Sequence, residues 1–246
     1  MRMRGAGRVA LGMALLSGAL SWNSGQAASQ EDAPQGYRIA QELLVGDGTV
    51  LEVLEDRRIT AQLHAQSWGN GLDEETFDES TDSELQPRLE ARVRLVSAVG
   101  EILAEEALGY PLAKVEKAPL GGLPFPVFFL TVDQTAPMGT YSGPATQILA
   151  PTRSRLEPMP YRDEQGKQRP LTMAQTGKAA WQVMAPAPGA TESIAQVSSA
   201  PADEGDDFVT TYRTYRWVDG RWAATSRQQP GYWDAEDEFP EVSVFP

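Results

Sequence analysis

Apolar and polar residues alternate along several short segments of this chain, and a period of two predicts β-strands. Between 89 and 95 every odd-numbered residue is apolar and every even-numbered residue is charged. Segments 37–45 and 49–54 flank Gly46-Asp47-Gly48, so together they predict a hairpin with a tight turn. The segment 127–132 is almost continuously apolar, which favours a central strand that is buried on both faces.

Two further segments are assigned to strands from the same pattern. Residues 59–65 alternate, which predicts a half-buried strand with His64 on its polar face. Residues 101–108 have a mixed composition, but the short distance between Gly100 and Gly109 favours a strand over a helix. The sequence therefore predicts a mainly β fold with antiparallel sheets, either sandwich-like or as two small β units, and little helix after the first 27 residues.

A proline- and glycine-rich segment predicts a division of the chain. Residues 118–126 contain three prolines and two glycines and cannot continue a helix or a central strand. We expect an N-terminal β unit at 28–118, a linker at 119–126 and a C-terminal β unit at 127–246. A long crossover within one domain is the alternative.

The C-terminal unit contains the strongest local signal, an Asp219-Gly220 pair between two alternating runs. Such a pair favours a type I′ turn because both central residues need a positive φ. This turn sets a register in which Trp217 lies opposite Trp222. One face of the predicted hairpin is expected to pack on the core and carries Tyr215, Trp217, Trp222 and Ala224.

The other face of this hairpin is rich in arginine and is the candidate binding face. The candidate binding residues are Tyr212, Arg216, Arg221, Arg227 and Trp233. Such a face suits a carboxylate or a sugar. We favour the alternative that its arginines pair with the acidic residues downstream and so fold the C-terminal segment back over the sheet. These acidic residues are Asp234, Glu236, Asp237, Glu238 and Glu241.

The first 27 residues have the three parts of a secretory signal peptide. Arg2, Arg4 and Arg8 precede an apolar segment at 9–20, and Gly25-Gln26-Ala27 ends the region with small residues. The apolar segment is shorter than the roughly 20 residues that a membrane-spanning helix needs. We therefore expect an exported protein, periplasmic or extracellular, without stable membrane insertion.

Composition narrows the choice of partners. The chain has 34 acidic and 21 basic side chains, a formal net charge of -13, which disfavours nucleic acid as a ligand. Residues 73–84 form an acidic segment whose spacing does not match a calcium-binding EF-hand loop. A solvent-exposed loop is the favoured interpretation, and docking to a cationic protein is the alternative. The candidate docking residues are Asp73, Glu74, Glu75, Asp78 and Glu79.

The residue inventory also restricts the chemistry. The chain has no cysteine and a single histidine, His64, so cysteine-based metal sites, thiolate catalysis and multi-histidine sites are excluded. No motif predicts a catalytic residue, a metal ligand or a cofactor. The sequence favours a non-enzymatic binding protein with a cationic protein partner in the cell envelope. A carbohydrate- or peptidoglycan-binding module, or a glycoside hydrolase that uses carboxylates, is the alternative.

Overall fold

Strands make up most of the structure. The computed structural model describes residues 33–68, 89–136, 139–152, 155–185, 191–202, 205 and 207–246, and residues 33–246 form one compact unit. The elements in chain order are β1 (Tyr37–Gly46), β2 (Thr49–Asp56), α1 (Ala61–Gln66), β3 (Arg92–Val96), β4 (Ile102–Ala107), β5 (Ala113–Lys117), β6 (Phe128–Asp133), β7 (Pro144–Leu149), β8 (Pro160–Arg162), β9 (Gln168–Pro170), β10 (Thr172–Ala174), β11 (Ala179–Met184), β12 (Ser193–Pro201), β13 (Phe208–Val218), β14 (Arg221–Pro230) and a short 3₁₀ helix (Val242–Val244).

These strands form three sheets. Sheet I has the order β1-β2-β3-β4, sheet II has β10-β7-β6-β5, and sheet III has β11-β12-β13-β14-β8-β9. Neighbouring strands are antiparallel except for β14 and β8, which are parallel. The predicted fold class, mainly β with antiparallel sheets and little helix, is confirmed.

Sheet II lies between the other two sheets, because its strands contribute to a hydrophobic core on each face. Phe128 and Leu130 of β6 pack in a cluster with Val93 of sheet I. Phe129, the residue between them, packs in a second cluster with Tyr215 of sheet III. Burial of each phenylalanine contributes about 1.5–3 kcal/mol. The apolar run at 127–132 thus forms the strand that was predicted to be buried on both faces.

Sheets I and II are also joined at their edges through one amide side chain. The register of β1 shifts between Ile39 and Gln41, at a bulge. The Gln41 side-chain amide group donates to the Val115 carbonyl oxygen and accepts from the Val115 N–H at 2.8 Å. Gln41 therefore satisfies the edge of β5 much as a neighbouring strand would.

The proline- and glycine-rich segment connects β5 to β6, and these two strands pair with each other. Gly122 has a φ of +77°, and a Cβ atom there would lie 2.7 Å from the Thr191 methyl group. The chain thus turns closely against the start of β12. The division into 28–118 and 127–246 stays a prediction.

The C-terminal hairpin follows the predicted register, with Trp217 opposite Trp222. Asp219 and Gly220 have φ values of 51° and 77°, as a type I′ turn requires. The two indole rings meet edge to face with centroids 5.7 Å apart. Trp222 and Tyr215 are each 1% exposed, so the predicted core face of this hairpin is buried.

The strand predicted at 59–65 is wrong, because residues 61–66 form the short helix α1. The Thr60 hydroxyl accepts a hydrogen bond from the Leu63 N–H at 3.2 Å and caps the first turn. At the other end, the Ser67 hydroxyl donates to the Leu63 carbonyl at 2.6 Å. Side-chain hydroxyls at both ends thus stabilise one helical turn in a segment whose alternating pattern also suits a strand.

Candidate functional site

The predicted arginine face lies on the outer side of sheet III, and the C-terminal segment 231–246 packs against it. Trp233 is 6% exposed and shares a third hydrophobic cluster with Val197 and Phe245. The Trp233 main-chain N–H donates to the Ser199 hydroxyl at 2.9 Å. Its indole N–H donates to the Glu238 carbonyl at 3.3 Å. Trp233 therefore anchors the segment to the sheet.

The arginines of this face bind the main chain of the same segment. Arg216 donates to a main-chain oxygen of Pro246 at 2.7 Å, and Arg227 donates to the Val244 carbonyl oxygen. Tyr212 meets the ring of Phe245 edge to face, with centroids 5.7 Å apart. The C-terminal segment thus folds back over the sheet. These contacts are made by main-chain oxygens and aromatic rings and not by acidic side chains.

The downstream acids have other roles in this arrangement. Within the described ranges, no ion pair joins the arginines of this face to the acids of the C-terminal segment, and Asp234 pairs instead with Lys178 at 3.7 Å. Arg221 is exposed and has no hydrogen bond or ion pair among the described residues. Ligand binding by this face stays a prediction. The five acidic docking residues of the 73–84 segment lie outside the described residues.

His64 takes part in a small polar cluster rather than lying on a strand. The buried carboxylate of Glu55 accepts from Arg38 Nη2 at 3.0 Å and lies 3.1 Å from His64 Nε2. Arg38 also donates to the Ile59 carbonyl at 3.2 Å. The cluster therefore ties helix α1 and the chain before it to sheet I.

A more exposed candidate surface crosses sheet I near its turns. Residues at one register position form an apolar row across all four strands, in the order Leu44, Val50, Val96 and Ile102. Leu44 is 67% exposed and Ile102 is 51% exposed. Val99, at the turn between β3 and β4, is 86% exposed. Val50 and Val96, which lie between Leu44 and Ile102, are half-buried. Exposed apolar side chains grouped on one surface mark interaction sites.

A charged row runs beside the apolar row on the same face. It consists, in strand order, of Glu42, Glu52, Arg94 and Glu105. We call the two rows together the apolar-acidic strip. Arg94 pairs with Glu52 in the middle of the sheet. At the two edges, Glu42 is exposed and Glu105 accepts a hydrogen bond from Arg92 at 2.8 Å.

The electrostatics of this strip favour a cationic neighbour. The pKa of Glu42 is raised by partial burial and by the charge of Glu52, while Arg94 opposes the shift. A positive group placed at Glu42 would relieve this repulsion. Glu106 of the edge strand β4 and Glu101, just before this strand, are two more exposed carboxylates. The acidic groups of this region therefore outnumber its cations.

An open cleft lies at the turn end of sheet I, on the core side of the sheet and opposite the strip. Its volume is about 510 Å³. Leu95, Val99 and Leu103 line one side, and Pro126 and Pro151 line the other. Leu95 and Leu103 belong to the core side of sheet I, so this cleft does not lie under the strip.

The sequence contains a signal for this surface that a search for alternation misses. Leu43 and Leu44 are adjacent apolar residues in a strand, so their side chains lie on opposite faces. Leu43 packs on the core, and Leu44 is left in solvent. Ile102 and Leu103 are a second adjacent apolar pair, at a register shift next to Val96. Paired apolar residues on one-sided strands thus indicate an apolar outer surface.

Comparisons with known proteins add no family or relative: no family model, no curated protein and no solved structure matches this chain. Within the described ranges, no helix is long and apolar enough to cross a membrane. Among the same residues, no group of three or more histidine, cysteine, aspartate or glutamate side chains is placed to hold a metal ion.

Proposed function

We propose that this protein is an exported, non-catalytic binding protein that engages a cationic protein partner in the cell envelope through the apolar-acidic strip. The observation that carries the proposal is the partly exposed apolar row of sheet I beside the exposed carboxylate of Glu42 and those at β4. Apolar contacts supply affinity, and complementary charge supplies attraction at a distance and discrimination against anionic partners. The net charge of -13 acts in the same direction over the whole molecule.

An edge strand gives such a partner a second means of attachment. Among the described residues, β4 pairs only with β3, so one set of its main-chain groups faces away from sheet I. A basic extended segment can pair with this edge and contact Glu101 and Glu106. The partner we propose is therefore a segment that carries lysine or arginine beside apolar residues.

Export is tested by mass spectrometry of the protein purified from its native cells. A signal peptide is expected to be removed after Ala27 or Ala28, which leaves Ala28 or Ser29 as the first residue. A protein that retains residues 1–27 in the cytoplasm would contradict this part of the proposal.

The strip is tested by placing a photo-crosslinking amino acid at position 102 in the native envelope. We expect a crosslinked protein at low salt that disappears near 1 M salt, where the Debye length falls to about 3 Å. The same amino acid at Val218 is the matched control, because Val218 is 47% exposed but lies on the hairpin of sheet III. Equal crosslinking at both positions, or none at position 102, would overturn the proposal.

A defined probe makes the test independent of the native partner. A labelled peptide of alternating lysine and valine is expected to bind the purified protein, and fluorescence anisotropy measures its affinity. The matching peptide of glutamate and valine is expected not to bind. Equal binding of the two peptides would show that charge does not contribute to recognition and would contradict the proposal of a cationic partner.

The glycan alternative has a separate measurement. Trp222 and Trp233 are 1% and 6% exposed, so a sugar platform would have to use other rings, such as the half-buried Trp217. Quenching of tryptophan fluorescence by glycan fragments, without binding of the lysine–valine peptide, would favour the glycan-binding function.

A further inference from the structure

A second feature, on the inner face of sheet III, has a different chemistry. Arg213 lies two residues before Tyr215 on β13, so both side chains leave the strand on the same face. Arg213 pairs in register with Gln196 of β12 and with Ser226 of β14. Three polar side chains thus lie side by side next to the aromatic core.

The loop between β8 and β9 completes a cleft of about 380 Å³ over this polar row. Its lining includes Tyr161, Glu164, Arg169, Arg213 and Ser226. This volume accommodates a compact ligand such as one sugar ring or two amino-acid residues. We call it the Arg213 cleft.

The carboxylates of the Arg213 cleft already have partners. Asp163 accepts from Arg169 Nε at 2.7 Å, and the Arg169 hydrogen bond lowers the pKa of Asp163. Glu164 Oε1 accepts from the Ser226 N–H at 2.6 Å and from the Ser226 hydroxyl at 3.2 Å. These contacts hold the loop in place over the sheet.

Arg213, in contrast, is only weakly engaged. Its Nη1 group lies 3.5 Å from the Tyr215 hydroxyl, which itself donates to Gln196 Oε1 at 3.0 Å. Among the described residues, no carboxylate forms an ion pair with Arg213. A guanidinium has five N–H donors, so most of those on Arg213 have no described acceptor.

The state of charge of Arg213 suits an anion. Burial alone lowers its pKa, but the Tyr215 hydrogen bond and nearby groups, including Glu164, outweigh burial, and the pKa is raised overall. The side chain therefore stays charged at all physiological pH values. A half-buried charge without an ion-pair partner is costly, and a planar carboxylate can satisfy two of its donors at once.

We infer that the Arg213 cleft binds the carboxylate of a small molecule or of a peptide chain end, with Arg213 as the bidentate donor. The Glu164 oxygen that Ser226 does not contact is an acceptor for a hydroxyl or amino group of the same ligand. This site is independent of the proposed protein-binding function, because it lies on sheet III and uses the opposite charge.

The experiment compares carboxylates with their neutral counterparts on the full chain. The probes are glucuronate against glucose, and the dipeptide Ala-Ala against its amide, each titrated by calorimetry and by NMR. We expect one of the two acids to bind and its neutral counterpart to bind at least ten-fold more weakly, because hydrogen bonds to a charged group are strong. The acid that binds identifies the source of the carboxylate.

Two variants locate the site. Arg213→Gln is expected to weaken binding about ten- to a hundred-fold, and Arg213→Lys to have an intermediate effect because a lysine cannot make the bidentate contact. Arg162→Gln is the matched control, since Arg162 is an exposed arginine on β8 next to Tyr161 and does not line the cleft. It is expected to bind as the unaltered protein does.

A measurement on the unaltered protein tests the site even if the substituted proteins fail to fold. On addition of the bound acid, the NMR signals of the Arg213 side chain and of the Ser226 amide are expected to shift, and that of Arg162 is not. Absence of binding by both acids at millimolar concentration would overturn the inference. So would neutral probes that bind equally well, or binding that Arg213→Gln leaves unchanged.

Discussion

The outer face of sheet III and the turn end of sheet I both combine apolar side chains with charges, yet among the described residues only the first is covered by the chain itself. On sheet III, Trp233 and Phe245 are 6% and 9% exposed because the C-terminal segment packs there. On sheet I, Leu44 and Ile102 keep more than half of their surface in solvent. Composition alone therefore does not identify a binding surface, because the aromatic and arginine-rich face has a partner within the molecule.

Arginine has two different roles on sheet III. Arg216 and Arg227 each bind a main-chain oxygen of the C-terminal segment. Arg213, three residues before Arg216, lies on the opposite face of β13 and has no ion-pair partner among the described residues. Successive side chains of a strand lie on opposite faces of the sheet. The position of an arginine on β13 therefore decides whether it binds the C-terminal segment, as Arg216 does, or faces the cleft, as Arg213 does.

The largest expected effect comes from removing the anchor of the covered face. Trp233→Ala should lower the free energy of unfolding by about 3–5 kcal/mol, because a large buried ring is lost. Urea denaturation measures the loss, and binding of a dye for apolar surfaces should increase. Tyr232→Ala is the control, since Tyr232 is 47% exposed. Equal losses in both variants would mean that Trp233 is not the anchor.

A smaller effect should follow from removing the two arginine clamps. The double variant Arg216→Gln with Arg227→Gln is expected to lose about 1–2 kcal/mol, because two hydrogen bonds from charged donors disappear at an exposed position. Limited proteolysis should cut the C-terminal segment faster. Arg221→Gln should change neither measurement, since Arg221 has no described partner. A comparable loss in Arg221→Gln would contradict this assignment.

The pH dependence of stability should have opposite signs at two carboxylates of sheet I. The Arg58 hydrogen bond lowers the pKa of Asp56 below its ordinary value of 3.8. Ionised Asp56 therefore stabilises the folded state above pH 3.8, and this contribution is lost as the pH falls through the lower pKa of the folded state. The pKa of Glu42 is raised above 4.5, so stability decreases as the pH rises through its folded-state value. Each contribution should be below about 1 kcal/mol.

These two contributions are separated by single amide variants. Asp56→Asn should destabilise the protein at pH 7 and have little effect at pH 2, whereas Glu42→Gln should slightly stabilise it at pH 7. Urea midpoints between pH 2 and pH 7 provide the measurement. Shifts of the same sign in both variants would be inconsistent with the geometry of sheet I.

The smallest effect on stability is expected on the uncovered surface. Ile102→Ser should change the free energy of unfolding by no more than about 0.5 kcal/mol, because the side chain is 51% exposed. It should nevertheless weaken binding of the lysine–valine peptide. A large loss of stability would show that Ile102 packs within the fold, and unchanged peptide binding would remove Ile102 from the proposed interface.

Local patterns predicted much of sheets I and III, and they failed where two local structures compete. The β1–β2 hairpin and the register of Trp217 with Trp222 followed from turn residues and alternation. Residues 59–65 alternate as a strand would, but the Thr60 and Ser67 hydroxyls stabilise a helical turn there. Hydrogen bonds from side-chain hydroxyls to the main chain offset the free-energy cost of forming one helical turn. The alternating pattern of a short segment is therefore not enough to decide between a strand and a helix.

The candidate surfaces depended on contacts between residues far apart in the sequence. Leu44 and Ile102 lie in one row only because four strands pair in one register. Arg213 and Glu164 line one cleft only through the parallel pairing of β14 with β8. The sequence by itself determined the strand-rich fold, the tight Asp219-Gly220 turn and the acidic charge, since these follow from neighbouring residues and composition. Tertiary structure alone decided which apolar and cationic side chains are covered, because burial depends on which sheets and segments pack together.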